Sequence, residues 1–130
     1  MGILDLVNQY ENAAREAPRE DVSHGLHEAF RSDETPPFEQ MIGQLFGRSD
    51  PNQRAGFLNQ ILGRRVTAQE AAEVPVGEVE SATAQAAAGN PSIMERASRF
   101  YADHPQLVQT LGQVAIGVAM NAMTNRRRRV

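Results

Sequence analysis

The residue types best suited to chemistry lie in His24-Gly25-Leu26-His27-Glu28. On a helix His24 and His27 stand at i, i+3 and His24 and Glu28 at i, i+4, so the three share a face. Two imidazoles and a carboxylate are donors for a divalent metal. A zincin site needs two histidines four apart around a glutamate, and this spacing does not supply it. The third histidine, His104, is far along the chain. The segment reads as a polar helix surface, and no metal or cofactor is assigned. None of Ser23, Ser32, Ser49, Ser81, Ser92 and Ser98 sits in a Gly-x-Ser-x-Gly elbow. Asp33 and Glu34 precede a helix start, where negative charge is favourable on structural grounds alone. Glu78 and Glu80 lack a pocket in which to divide acid and base roles. The chain has no Cys, which excludes thiol nucleophiles, zinc–thiolate sites and disulfides. There is no Gly-rich phosphate loop. With no nucleophile–base pair, the chain reads as a non-enzyme with no identified small-molecule substrate.

Charge bears on a second class of function. The net charge of −3 hides a split. All 13 basic residues are Arg; residues 1–125 carry nine of them against 16 acids, and Arg126, Arg127, Arg128 and Arg129 form the one basic cluster. An acidic body repels phosphate backbones, which disfavours a nucleic-acid groove along the fold. The tail alone would neutralise at most about four phosphates. Residues 1–7 lack the basic start of a secretory signal, and no run reaches the roughly 18 apolar residues of a membrane span. A cytoplasmic location is the expectation.

The elements that must position these residues are helices. At 130 residues, 41% of them apolar, the chain suits one domain with a core of its own. Ile3, Val7, Tyr10, Ala14 and Ala17 form one helical stripe, which Pro18 ends. A charged turn at residues 19–21 leads into a second helix bearing Val22, Leu26, Ala29 and Phe30, with Asp21 or Ser23 as its cap. Thr35 caps a third helix that begins at Pro36, carries Phe38, Met41, Ile42, Leu45 and Phe46, and stops at Gly47. Asp50 and Gln53, then Thr67 and Glu70, have capping-box spacing. Gly63 and Gly89 end further helices, Asn90-Pro91 starts one, and the last spans residues 105–125. No alternating strand pattern occurs. The expectation is an all-α, compact bundle of seven or eight short-to-medium helices over 1–125. Within it, 66–92 is an Ala-rich peripheral arm, and 126–130 is a basic tail.

The last helix stands apart. From His104 to Asn125 no residue is Asp, Glu, Lys or Arg. Gln106, Thr110, Gln113, Gly117, Asn121 and Thr124 make a weakly polar stripe, with Leu107, Leu111, Val114, Ala115, Val118 and Ala122 opposite. Three environments suit such a helix. It can be buried at the centre of its own chain. It can pair between subunits through its small residues. Or it can lie on a membrane surface, with the terminal arginines on anionic headgroups.

Several stretches resemble the YidB-like family of small bacterial proteins. They are Met1-Gly2-Ile3-Leu4-Asp5, Phe30-Arg31-Ser32-Asp33-Glu34-Thr35-Pro36-Pro37-Phe38, Gln53-Arg54-Ala55-Gly56-Phe57-Leu58-Asn59-Gln60, and Asn90-Pro91 followed by Phe100-Tyr101, His104-Pro105-Gln106-Leu107 and Leu111-Gly112. The resemblance implies a bacterial, all-helical, cytosolic protein without an established activity, and it transfers no catalytic or ligand residue. The resulting expectation is a non-enzymatic interaction or scaffold protein. It would self-associate as a homo-oligomer or meet a protein partner through Leu111, Ala115, Val118 and Ala122. The alternative is a peripheral membrane protein using the last helix and residues 126–129.

Overall fold

Both capping boxes form. Asp50 Oδ1 accepts from the Gln53 amide at 2.7 Å, and Gln53 Oε1 accepts from the Asp50 amide at 2.9 Å. Thr67 and Glu70 exchange the same pair at 3.1 and 3.0 Å. Each box satisfies two backbone donors that a helix start leaves unpaired.

The structure is a computed structural model that describes residues 3–128, apart from the side chains of 3–8, 11 and 126–128. Among the described residues there are nine α-helices and no strand. They are α1 (Ile3–Glu16), α2 (Arg19–Arg31), α3 (Phe38–Arg48), α4 (Pro51–Gln60), α5 (Ala68–Ala72), α6 (Val76–Gly89), α7 (Ser92–Ala102), α8 (Pro105–Val108) and α9 (Gln113–Arg128). A single 3₁₀ turn, Gln109–Leu111, follows α8.

The all-α class holds, and the count rises to nine because the last helix is broken. Gly112 takes φ +98° and ψ 174°, a conformation that is essentially glycine-only. The chain turns there, so the single helix expected over residues 105–125 becomes α8, the 3₁₀ turn and α9.

Three helix ends also differ from expectation. Thr35 does not cap α3. Its hydroxyl donates to the carbonyls of Ala29 at 2.6 Å and Ser32 at 3.0 Å, closing the end of α2, and α3 starts only at Phe38. The cause is the Pro36-Pro37 pair, since a residue before proline is pushed out of the helical region. Gly47 stays helical instead of ending α3. The carbonyls of Phe46 and Gly47 are taken by Arg54, at 3.0 and 3.1 Å, so no left-handed glycine is needed to satisfy them. Residues 19–21 form the first turn of α2, not a separate turn, and neither Asp21 nor Ser23 caps it. Glu20 and Asp21 there suit the positive end of the helix dipole. Gly63, at φ +68°, does terminate its helix.

The core joins all the longer elements. Phe57 stacks on Tyr101 with ring centroids 5.7 Å apart and meets Phe46 and Phe100 edge-on. Tyr10, Leu26, Met41, Ile42, Leu45, Leu58 and Ile116 are fully buried around them. The Ala-rich stretch is docked on one side. Here α6 lies along α3, burying Val79 and Thr83, and α5 sits on α4 with Ala71 buried. Its outer face, with Gly77, Ser81, Gln85 and Ala88, is exposed.

Helix α9 packs along α2 and touches α1. A Cβ on Gly25 would come within 2.5 Å of the Ala119 carbonyl oxygen and 2.6 Å of Met123 Cγ. The crossing therefore needs glycine, whose cost in helix propensity is about 1 kcal/mol.

Candidate functional site

Helices α2 and α7 lie side by side and antiparallel. Arg19, at the start of α2, reaches the Asp103 carboxylate just beyond α7 at 2.8 Å, while His27, near the end of α2, faces Glu95 near the start of α7. Between them runs a cleft of about 590 Å³. Arg19, Glu20, Ser23, His24 and His27 line it from α2, and Glu95 and Arg99 from α7. The α2 residues follow from a polar strip at i, i+4 and i+8 beside the buried face of Val22, Leu26, Ala29 and Phe30.

The two histidines expected to share a face do so, in this cleft. Glu28 turns aside and pairs with Arg31 at 3.7 Å. Among the described residues no group of three His, Asp or Glu is placed to hold a metal. His104 is also apart: its ring lies 5.2 Å from that of Phe100, and its Nδ1 is 3.5 Å from Gln53 Nε2. Burial holds His27 below the ordinary histidine range, with the Glu28 carboxylate pulling the other way.

Arg19 Nη2 donates to the backbone carbonyl of Arg99 at 3.3 Å, while the Arg99 guanidinium turns back along α7, its Nη2 3.0 Å from Glu95 Oε1. The sequence reading missed Arg19, Glu20, Glu95 and Arg99. The available signal was the i, i+4 spacing of Glu95 with Arg99, and of Arg19 with Ser23.

Other residues weighed for chemistry have structural work. The Ser49 and Ser98 hydroxyls donate to the carbonyls of Leu45 and Met94, one helical turn back, at 2.7 and 2.8 Å. Ser92 Oγ donates to Asn90 Oδ1 at 2.7 Å. Glu78 pairs with Arg64 at 3.5 Å, while Glu80 folds across Gly43, so the two do not converge.

The stripe chosen for contact between copies needs correction. Leu111, Ala115 and Ala122 are buried within the chain, at 9%, 2% and 9% exposure, and Val118 is half-buried. Val114, expected beside them, is 53% exposed. The inward face of α9 is Ala115, Ile116, Ala119, Ala122 and Met123. That face is rotated about a quarter turn from the expected one, at about 100° per residue. The expected phase ran through Leu107 and Leu111, and Gly112 breaks that phase. Gln113, Asn121 and Thr124 do point outward.

The helical backbone continues three residues past the expected end at Asn125, through Arg128. The side chains of Arg126, Arg127 and Arg128, and all of Arg129, lie outside the described residues. No known protein family, curated protein or solved structure matches the chain.

Proposed function

We propose that the chain is a non-enzymatic helical interaction protein of the cytoplasm that self-associates, with the outward face of α9 as its contact surface. Kinship with the YidB-like proteins belongs to the same proposal. The observation that supports it is the character of this face. Val114 is 53% exposed, a Cβ on Gly117 would meet open space, and no Asp, Glu, Lys or Arg occurs from His104 to Asn125. Covering a face without charges avoids the large desolvation cost of ions. A glycine there also lets a second helix approach closely. Over the rest of the body acids outnumber arginines, and two copies repel. Leu111, Ala115 and Ala122 hold α9 within the chain, and the half-buried Val118 borders the outward face.

Size-exclusion chromatography with light scattering tests this. A mass above that of one chain is expected at high micromolar concentration. Val114→Glu should return it to the monomer without changing helix content, because the side chain is exposed. A wild-type monomer at every concentration overturns self-association.

One observation favours a second reading. The helical backbone of α9 runs through Arg128, so the uncharged face shares a rod with three arginine positions, as in a helix lying on an anionic membrane surface. No helix of the described residues is long and apolar enough to cross a membrane. Co-sedimentation with anionic and with neutral vesicles separates the readings. Binding to anionic vesicles alone, lost on deleting residues 126–130, would favour the membrane surface.

A further inference from the structure

We propose, on the basis of the self-association above, that two copies meet antiparallel along the outward face of α9, with residues 126–129 of each copy over the acidic α1 of the other. Val114, Gly117, Asn121 and Thr124 follow at spacings of three, four and three, which on a helix is a single seam. Val114, Asn121 and Thr124 are exposed, and a Cβ on Gly117 would meet open space. An antiparallel pair about the middle of this seam sets Gly117 opposite Asn121 and Val114 opposite Thr124. The gap over each glycine then receives an amide side chain from the other copy. A parallel pair sets Gly117 against Gly117 and Asn121 against Asn121, which leaves a void at one level and crowds the next.

Charge selects the same orientation. Arg126, Arg127 and Arg128 end α9, and Arg129 follows. Packed helices lie about 8–10 Å apart. That is close to the Debye length of about 8 Å at physiological ionic strength, so a parallel pair holds the two arginine clusters together with little screening. In the antiparallel pair Arg126 of one copy comes opposite Gly112 of the other. At about 1.5 Å per residue, the roughly 14 residues between these positions part the two clusters by about 21 Å.

The displaced clusters also find acid. Helix α1 packs on α9 and on the 3₁₀ turn just before Gly112. It bears Asp5, Glu11 and Glu16 against one arginine, and Glu16 is exposed. Area points the same way. A stable dimer buries about 800 Å² per partner. One face of a 16-residue helix, about 24 Å by 10 Å, supplies roughly a third of that. In the antiparallel pair the basic end of each copy extends the contact onto α1 of the other, while a parallel pair leaves both ends in solvent.

The test is disulfide trapping in the full chain, which has no cysteine of its own. Val114→Cys and Thr124→Cys are oxidised separately and as an equimolar mixture, with light scattering on the wild type alongside. In the antiparallel pair the two copies of position 114 are about 15 Å apart along the axis, and a disulfide needs Cα atoms within about 7 Å. Only the mixture should therefore give a covalent dimer, joining one variant to the other. Replacing Arg126, Arg127, Arg128 and Arg129 together by Gln should weaken association about tenfold, since several exposed ion pairs of small individual worth are lost. A covalent dimer from either cysteine variant by itself shows a parallel seam and overturns the proposal. Unchanged or tighter association without the arginines overturns it too. A wild type that is dimeric by light scattering, with no covalent dimer in the mixture, overturns the antiparallel seam and leaves self-association to another face. A wild-type monomer overturns both.

Discussion

Arg54 shows how one side chain can settle several backbone accounts at once. Its guanidinium lies over the Phe46 ring, 5.1 Å from the centroid, and donates to the carbonyls of Phe46, Gly47 and Ala72. It thereby closes the end of α3 and ties down the end of α5. His27 is the residue through which pH enters. Burial disfavours its charged form, so the folded chain binds its proton less readily than the unfolded chain does. The unfolded ring titrates near 6.5. Above that range the contribution of His27 to stability is complete. It is lost as pH falls below the unfolded value toward the lowered folded value, because the unfolded state takes up the proton first. Urea midpoints should decline modestly from pH 7.5 to pH 5.5, and His27→Gln should flatten the decline. An unchanged slope in the variant would place the effect on other groups.

At the scale of elements, Gly112 decides the most. Its φ of +98° separates the 3₁₀ turn from α9 and resets the helical phase. A Cβ there would touch nothing within 4 Å, so the cost of Gly112→Ala is backbone strain and not collision. A loss of about 1–3 kcal/mol is expected from chemical denaturation. Gly117→Ala, inside α9 and equally uncrowded, should gain about 0.5–1 kcal/mol, because alanine is the better helix former. Opposite signs for the two variants would distinguish a turn at 112 from a continuous helix, in which both would stabilise.

For the whole molecule, the crossing of α2 and α9 at Gly25 is the organising contact. One face of α2 holds α9 against the core, while its flank forms the cleft with α7. Gly25→Ala drives a methyl into the Ala119 carbonyl, and backbone cannot swing aside as a side chain can. The helices must separate, at about 1–3 kcal/mol for an overpacked core. This outweighs the gain of about 1 kcal/mol in helix propensity. A lower thermal midpoint, with helix content retained in the folded baseline, is the expected result. A more stable variant would show that α2 and α9 do not approach this closely. The same contact explains the small residues of α9: Ala115, Ala119 and Ala122 face inward, where they permit the approach of α2.

The helical class, the capping boxes at Asp50 and Thr67, the glycine stop at Gly63 and the shared face of His24 and His27 were legible in the sequence. Each depends on neighbours within about four residues, where propensity, capping and periodicity operate. Thr35, Gly47 and the start of α2 were misread because partners outside the local pattern decided them: a second proline, an arginine seven positions on, and a dipole-favoured first turn. The cleft was half legible. Its histidines stood out by type, but Glu95 and Arg99 come from a helix some seventy residues later, and only packing sets them opposite Arg19. The inward face of α9 was settled by tertiary structure alone. An uncharged helix offers no strong contrast between its sides, so the choice passed to the shape of α2 at Gly25 and to the turn at Gly112.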